Sequence, residues 1–79
     1  MKSRILLVDD DHDLVETMAE ALEAEGFEVL TAFDGDQGWE VVKRGRPDLI
    51  ILDVMMPGKY GFEVANELAK SEFASIPVI

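Results

Sequence analysis

The sequence predicts an α/β domain, a parallel sheet with helices on both faces, in the order β-α-β-α-β-α-β. Three observations carry this prediction. Two short runs, Ile5-Leu6-Leu7-Val8 and Leu49-Ile50-Ile51-Leu52, are apolar at every position, as strands buried on both faces are. The stretches between the strand candidates have helical apolar spacing and are long enough to serve as crossovers, which favours parallel pairing with right-handed connections. Finally, both runs end in acid: Asp9-Asp10-Asp11 follows the first and Asp53 follows the second. In open α/β sheets the carboxyl ends of strands are where ligand sites lie.

Taken in order, Ile5 to Val8 is the first strand. Asp11 or Asp13 can cap the next helix, and Asp13 with Glu16 has the spacing of a capping box. From about Leu14 to Glu25, the residues Leu14, Val15, Met18, Ala21 and Leu22 are expected on one apolar face, with Glu16, Glu20 and Glu23 elsewhere. Gly26 reads as the stop just past the helix end. Phe27 to Ala32 is a less uniformly apolar strand, hence nearer an edge. Asp34-Gly35 marks a turn. Gln37 to Arg44 is a short helix with Trp39 and Val42 inward, in which Gly38 costs up to ~1 kcal/mol relative to Ala. Arg46-Pro47-Asp48 breaks the pattern before the third strand, Leu49 to Leu52. Met55 to Tyr60 reads as a loop and Gly61 to about Ser71 as a third helix with Phe62, Ala65, Leu68 and Ala69 on its apolar side. Ile76-Pro77-Val78-Ile79 begins a fourth strand. No internal repeat, low-complexity stretch or linker interrupts this order.

Composition narrows the function classes. The chain has 79 residues, enough for one domain, with 17 acidic against 7 basic residues and a net charge of −10. That balance argues against nucleic-acid binding, since no Lys/Arg cluster is available to neutralise phosphates. The one basic knot, Lys43-Arg44-Gly45-Arg46, fits a helix C-terminus, where cations favour the macrodipole. There are no cysteines, which excludes disulfides, thiolate metal sites and cysteine nucleophiles. No apolar run approaches the ~20 residues of a membrane helix, and the N-terminus has no signal-peptide core. A cytoplasmic location is expected.

Asp53 is the residue to read most closely. If the first and third strands are parallel neighbours, the acids that end them converge on one sheet edge. Like charges that close repel unless a cation or a shared proton relieves them.

These residues resemble the receiver domain of two-component response regulators. The resemblance rests on Ile5-Leu6-Leu7-Val8-Asp9-Asp10-Asp11, Asp34-Gly35, Pro47-Asp48-Leu49-Ile50-Ile51-Leu52-Asp53, Met56-Pro57 with Gly61 four residues on, and Ile76-Pro77-Val78-Ile79. It spans the whole chain in order and at family spacing. The combination of the Asp pair with the aspartate before Met-Pro is specific, although each piece alone is weak. The resemblance implies a flavodoxin-like sheet, here with strand order 2-1-3-4. It also implies that Asp53 accepts a phosphoryl group from the phosphohistidine of a sensor histidine kinase, forming an aspartyl phosphate. Mg²⁺ would be held directly by Asp10, Asp53 and the backbone carbonyl of Met55, with Asp9 acting mostly through water. Such a module is a signalling phosphoprotein and not an enzyme with a substrate of its own.

The family pattern continues past the position of Ile79, through the rest of the fourth strand to a fifth strand and helix. Its switch Ser or Thr, its phosphoryl-contacting Lys and an aromatic switch residue belong to that stretch, so the chain reads as a truncated receiver. Tyr60 stands where the family often has Asp. The expected consequence of truncation is self-association, as a homo-oligomer, through an exposed sheet edge and apolar face. The alternative function is accordingly a non-signalling fragment that self-associates in this way.

Three competing chemistries fit less well. Asp9, Asp11 and Asp13 have calcium-loop spacing with Glu20 at the twelfth position, but Leu14 stands where the loop needs Gly. A phosphatase of the haloacid dehalogenase kind wants a second Asp two residues after its nucleophile, where this chain has Met55. His12 could be suspected as a ligand or phosphate donor, and it reads more simply as an exposed residue at a helix start.

Overall fold

The computed structural model describes residues 2–52, 66, 67, 69–72 and 74–79. Its elements are β1 (Arg4–Val8), α1 (His12–Ala24), β2 (Glu28–Ala32), α2 (Gly35–Gly45) and β3 (Leu49–Leu52). The three strands form one sheet in the order β2-β1-β3, and both pairings are parallel. Each connection is therefore a crossover through a helix, as the two apolar runs and the helical spacing between them predict.

The period-two geometry of strands divides β1 between two cores. Leu6 and Val8 lie with Ala32, Ile50, Leu52 and Val42 of α2 on one face, where Trp39 and Val41 pack against them. Ile5 and Leu7 lie with Val15 of α1 on the other, flanked by Met18, Leu22, Val29 and Ile51. One strand thus places two helices on opposite faces of the sheet. Each fully buried Leu or Ile contributes roughly 1.5–3 kcal/mol relative to exposure, so the all-apolar β1 and β3 form the centre. The more polar β2 lies at the edge, as its composition suggests.

Beyond β3, Val78 bridges Ile50 in parallel. The N–H of Ile50 donates to the Pro77 carbonyl, that of Ile79 to Ile50 and that of Leu52 to Ile79. This is where the expected fourth strand begins, and its place beside β3 agrees with the order 2-1-3-4. The expected loop over Met55–Tyr60 lies outside the described residues. So does most of the helix from Gly61 to Ser71, of which residues 66, 67 and 69 are helical.

Helix α1 begins two residues earlier than its apolar spacing predicts. Asp11 is the N-cap, its side chain accepting from the N–H of Leu14, while the Val15 N–H donates to the Asp11 carbonyl. The expected capping box of Asp13 and Glu16 therefore does not form, since Asp13 already lies inside the first turn. The inward line is Val15, Met18, Ala19 and Leu22. Leu14 and Ala21, expected on that face, are exposed, because each lies about a quarter-turn off the line. The helix ends as Gly26 predicts. Gly26 has φ of 96°, its N–H bonds the Glu23 carbonyl, and the Phe27 N–H bonds that of Leu22. This is the two-bond Schellman arrangement that a left-handed residue makes possible.

Helix α2 also starts earlier than expected. Asp34 is its N-cap, accepting from the Gln37 N–H, so Gly35 is the first helical residue and not part of a free turn. Gly38 has a reason beyond local propensity: a Cβ there would lie 3.1 and 3.2 Å from the two Val8 methyls. Its absence lets α2 approach the centre of the sheet closely.

Candidate functional site

The parallel register ends with Val8 opposite Leu52 and Val8 opposite Ala32. The chain leaves β1 into Asp9-Asp10-Asp11, leaves β2 into Phe33-Asp34, and leaves β3 into Asp53. All three exits are at the carboxyl edge of the sheet. The two acidic exits predicted to converge thus come from neighbouring strands. Asp53 and Met55 themselves lie outside the described residues.

Asp9 is half-buried and Asp10 is exposed. The Asp9 N–H donates to the Ala32 carbonyl at 3.2 Å, which extends the β1–β2 ladder by one bond and fixes the start of the loop. The Asp9 Oδ1 accepts from the Asp11 N–H at 3.0 Å, a local turn of the kind Asp side chains favour. Asp11 is spent on capping α1. Among the described residues no hydrogen bond or ion pair reaches the Asp10 carboxylate. The ion pairs Arg4–Glu28, Lys43–Glu40 and Arg46–Glu72 all lie away from Asp9, Asp10 and Asp11.

Among the described residues the loop therefore gathers carboxylates with N–H donors and no cation to balance them. A half-buried carboxylate and an exposed one on successive residues are hard oxygen donors that fit the needs of Mg²⁺, which takes few protein ligands and keeps its waters. Among the described residues no group of three acids or histidines forms a complete metal site. The calcium-loop spacing is set aside because the segment is not a loop: Asp11 caps α1 and Asp13 lies in its first turn.

One contact at this edge has no signal in the sequence. The ring of His12, the first residue of α1, stacks on the ring of Phe33, the first residue after β2. Their centroids are 3.8 Å apart and the planes are inclined by 11°. His12 is exposed, as expected of a helix start, yet it is engaged. Phe33 is half-buried against the core under α1, and its N–H donates to Gln37 Oε1 at 3.0 Å.

Comparison with known proteins gives a consistent result. The family model for the response regulator receiver domain matches residues 5–79. Among curated relatives, the DNA-binding response regulator MtrA of Mycobacterium tuberculosis is 39% identical over 79 residues, covering 100% of this chain and 34% of MtrA. The transcriptional regulatory protein CpxR of Klebsiella pneumoniae is 44% identical over 77 residues, covering 98% of this chain and 32% of CpxR. The chain thus spans about a third of the length of these relatives. Among solved structures, the response regulator TrrA of Thermotoga maritima, in complex with Mg²⁺-BeF, is 44% identical with a TM-score of 0.84, over 91% of this chain and 62% of that one. The chemotaxis protein CheY4 of Vibrio cholerae is 32% identical with a TM-score of 0.92, over 99% and 66% of the two chains.

Proposed function

The chain belongs to the family of response regulator receiver domains, and we propose that it works as their phosphoacceptor module, with Asp53 as the acceptor. The observation that carries this reading is the parallel register of β1 and β3, which ends at Val8 and Leu52, one residue before Asp9 and Asp53. Acids at the ends of two neighbouring strands form the donor set that phosphoryl transfer to a carboxylate needs.

In this reading a carboxylate oxygen of Asp53 attacks the phosphorus of a phosphohistidine on a sensor histidine kinase. The P–N bond breaks, the imidazole leaves with a proton, and an acyl phosphate remains on the chain. Asp10, Asp53 and the Met55 carbonyl would hold Mg²⁺ directly, with Asp9 acting through water. The Asp11 N–H keeps the Asp9 carboxylate in place. Bound there, Mg²⁺ offsets negative charge on the transferring group and on the acids around it. The TrrA complex with Mg²⁺-BeF supports this choice of metal in a relative.

Incubation with a small phosphodonor and Mg²⁺, followed by intact-mass analysis, tests the assignment. The expected product carries one labile phosphate, and Asp53→Asn removes it entirely. An adduct that persists in Asp53→Asn would place the acceptor elsewhere.

Among the described residues no helix is long and apolar enough to cross a membrane. Self-association is part of the same proposal. Leu14, Val78 and Ile79 are exposed large apolar residues, and such surface favours association. Sedimentation velocity at working concentration is expected to show a dimer or larger species, and a compact monomer would end that part of the reading.

A further inference from the structure

We propose that the stacked rings of His12 and Phe33 form a positioning clamp that holds the Asp9–Asp10 loop ready for its divalent cation. The proposal rests on the cation reading above and adds to it two residues that the acid pattern does not include.

The loop between β1 and α1 is short and is tied to the end of β2 at both of its ends. At its start, the Asp9 N–H bonds the Ala32 carbonyl. At its finish, His12 stacks on Phe33, the next residue along the β2 exit. Two consecutive residues of one segment therefore grip the first and last residues of the other, with Asp10 and Asp11 between them. Phe33 is a firm base for this contact, because its ring packs on the core formed by Ile5, Leu7 and Val15 and its N–H is held by the Gln37 side chain.

The clamp matters because, among the described residues, no hydrogen bond or ion pair reaches the Asp10 carboxylate and only its neighbours in the loop are held. Its carboxylate is exposed, and the described restraints on its loop are the Asp9 bond, the Asp11 turn, the capping of α1 by Asp11 and the ring stack. A ligand-bearing loop fixed before the ion arrives loses less conformational freedom on binding, so its affinity is higher for the same donor atoms. The bond to Ala32 is made by backbone groups that most sequences could supply, and the Asp9 and Asp11 side chains that make the turn and the cap belong to the acid pattern itself. The ring stack is the restraint supplied by side chains outside that pattern. His12 and Phe33 touch neither the acceptor nor the transferring group in this scheme, so both are positioning residues.

Calorimetric titration of the whole chain with MgCl₂ at one fixed pH tests the clamp, alongside melting curves recorded in EDTA. The variants are His12→Ala, which removes the stack, and His12→Phe, which restores an aromatic ring without an imidazole. His12→Ala is expected to weaken Mg²⁺ about fivefold, near 1 kcal/mol at 1.4 kcal/mol per tenfold. His12→Phe is expected to recover wild-type affinity, and all three chains should melt alike in EDTA. Phe33→Leu removes the other ring and should repeat the loss. If wild type binds Mg²⁺ and His12→Ala binds it equally well, the clamp is refuted while the cation reading stands. A loss that His12→Phe does not restore also refutes the clamp, because the imidazole itself would then be acting. If wild type shows no saturable binding, the cation reading fails first.

Discussion

The two ends of this sheet are built in opposite ways. At the amino edge, Arg4 closes the structure with paired charge. Its Nε donates to Glu28 Oε2 at 2.9 Å, its guanidinium donates to the Gly45 carbonyl at 2.8 Å, and its backbone N–H donates to Asp48 Oδ2 at 2.8 Å. The Asp48 N–H returns a bond to the Arg4 carbonyl. At the carboxyl edge, Asp9, Asp10 and Asp11 follow one another with N–H groups as their only described partners. Among the described residues, the same three strands thus end in paired charge on one side and unpaired negative charge on the other. Folding can tolerate the second arrangement, but it gains nothing from leaving Asp10 without a partner. The proposed cation site lies at the edge where that asymmetry leaves the acids unpaired, with the amino edge as scaffold.

The largest effect should come from the platform that both edges share. Leu6 is fully buried at the centre of β1, and Leu6→Ala is expected to cost roughly 2–5 kcal/mol, measured by urea unfolding with and without Mg²⁺. The loss should be similar in both conditions. A loss confined to one condition would mean that the edges are not carried by a common core.

Arg4→Met comes next and probes the balanced edge. The Arg4–Glu28 pair is about half exposed on both sides, with side-chain exposures of 46% and 47%. The cost should therefore stay near or below about 1 kcal/mol and shrink in high salt. Mg²⁺ affinity should not change, and a change would couple two edges that the structure keeps apart.

Asp10→Asn should have the smallest effect on folding, and of opposite sign. Removing one of several like charges is expected to stabilise the metal-free chain by at most about 1 kcal/mol, the Coulomb value in water at about 4 Å. The same substitution should abolish the response to Mg²⁺. Destabilisation in EDTA would show that Asp10 has a structural partner after all.

Where the sequence predicted well, the deciding forces were local or strongly periodic. The four residues of β3 are apolar without exception and form the strand expected of them. Gly26 ends α1 because a left-handed residue is needed there and glycine supplies it without strain. The parallel pairing of β1 and β3 that the two apolar runs predict is the pairing observed.

The differences come from choices that only tertiary contact resolves. Asp11 and Asp13 are both able to cap a helix, and the burial of Val15 selects Asp11. Asp34-Gly35 has the composition of a turn, but the Asp34 side chain captures the Gln37 N–H and starts a helix. Gly38 looks like a cost to its helix until Val8 is placed beneath it. The His12–Phe33 stack joins residues far apart in the chain, and no periodicity or motif announces it.

The asymmetry of the two edges is tested most directly by the melting temperature of the wild-type chain in EDTA and in millimolar Mg²⁺, with Asp10→Asn as the paired control. A cation at about tenfold excess over its Kd adds roughly 1.4 kcal/mol of stability, so the wild type is expected to melt roughly 5–10 °C higher with Mg²⁺. Asp10→Asn should melt at the same temperature in both conditions. A wild-type melting temperature that ignores Mg²⁺ would contradict the assignment of the carboxyl edge as a cation site.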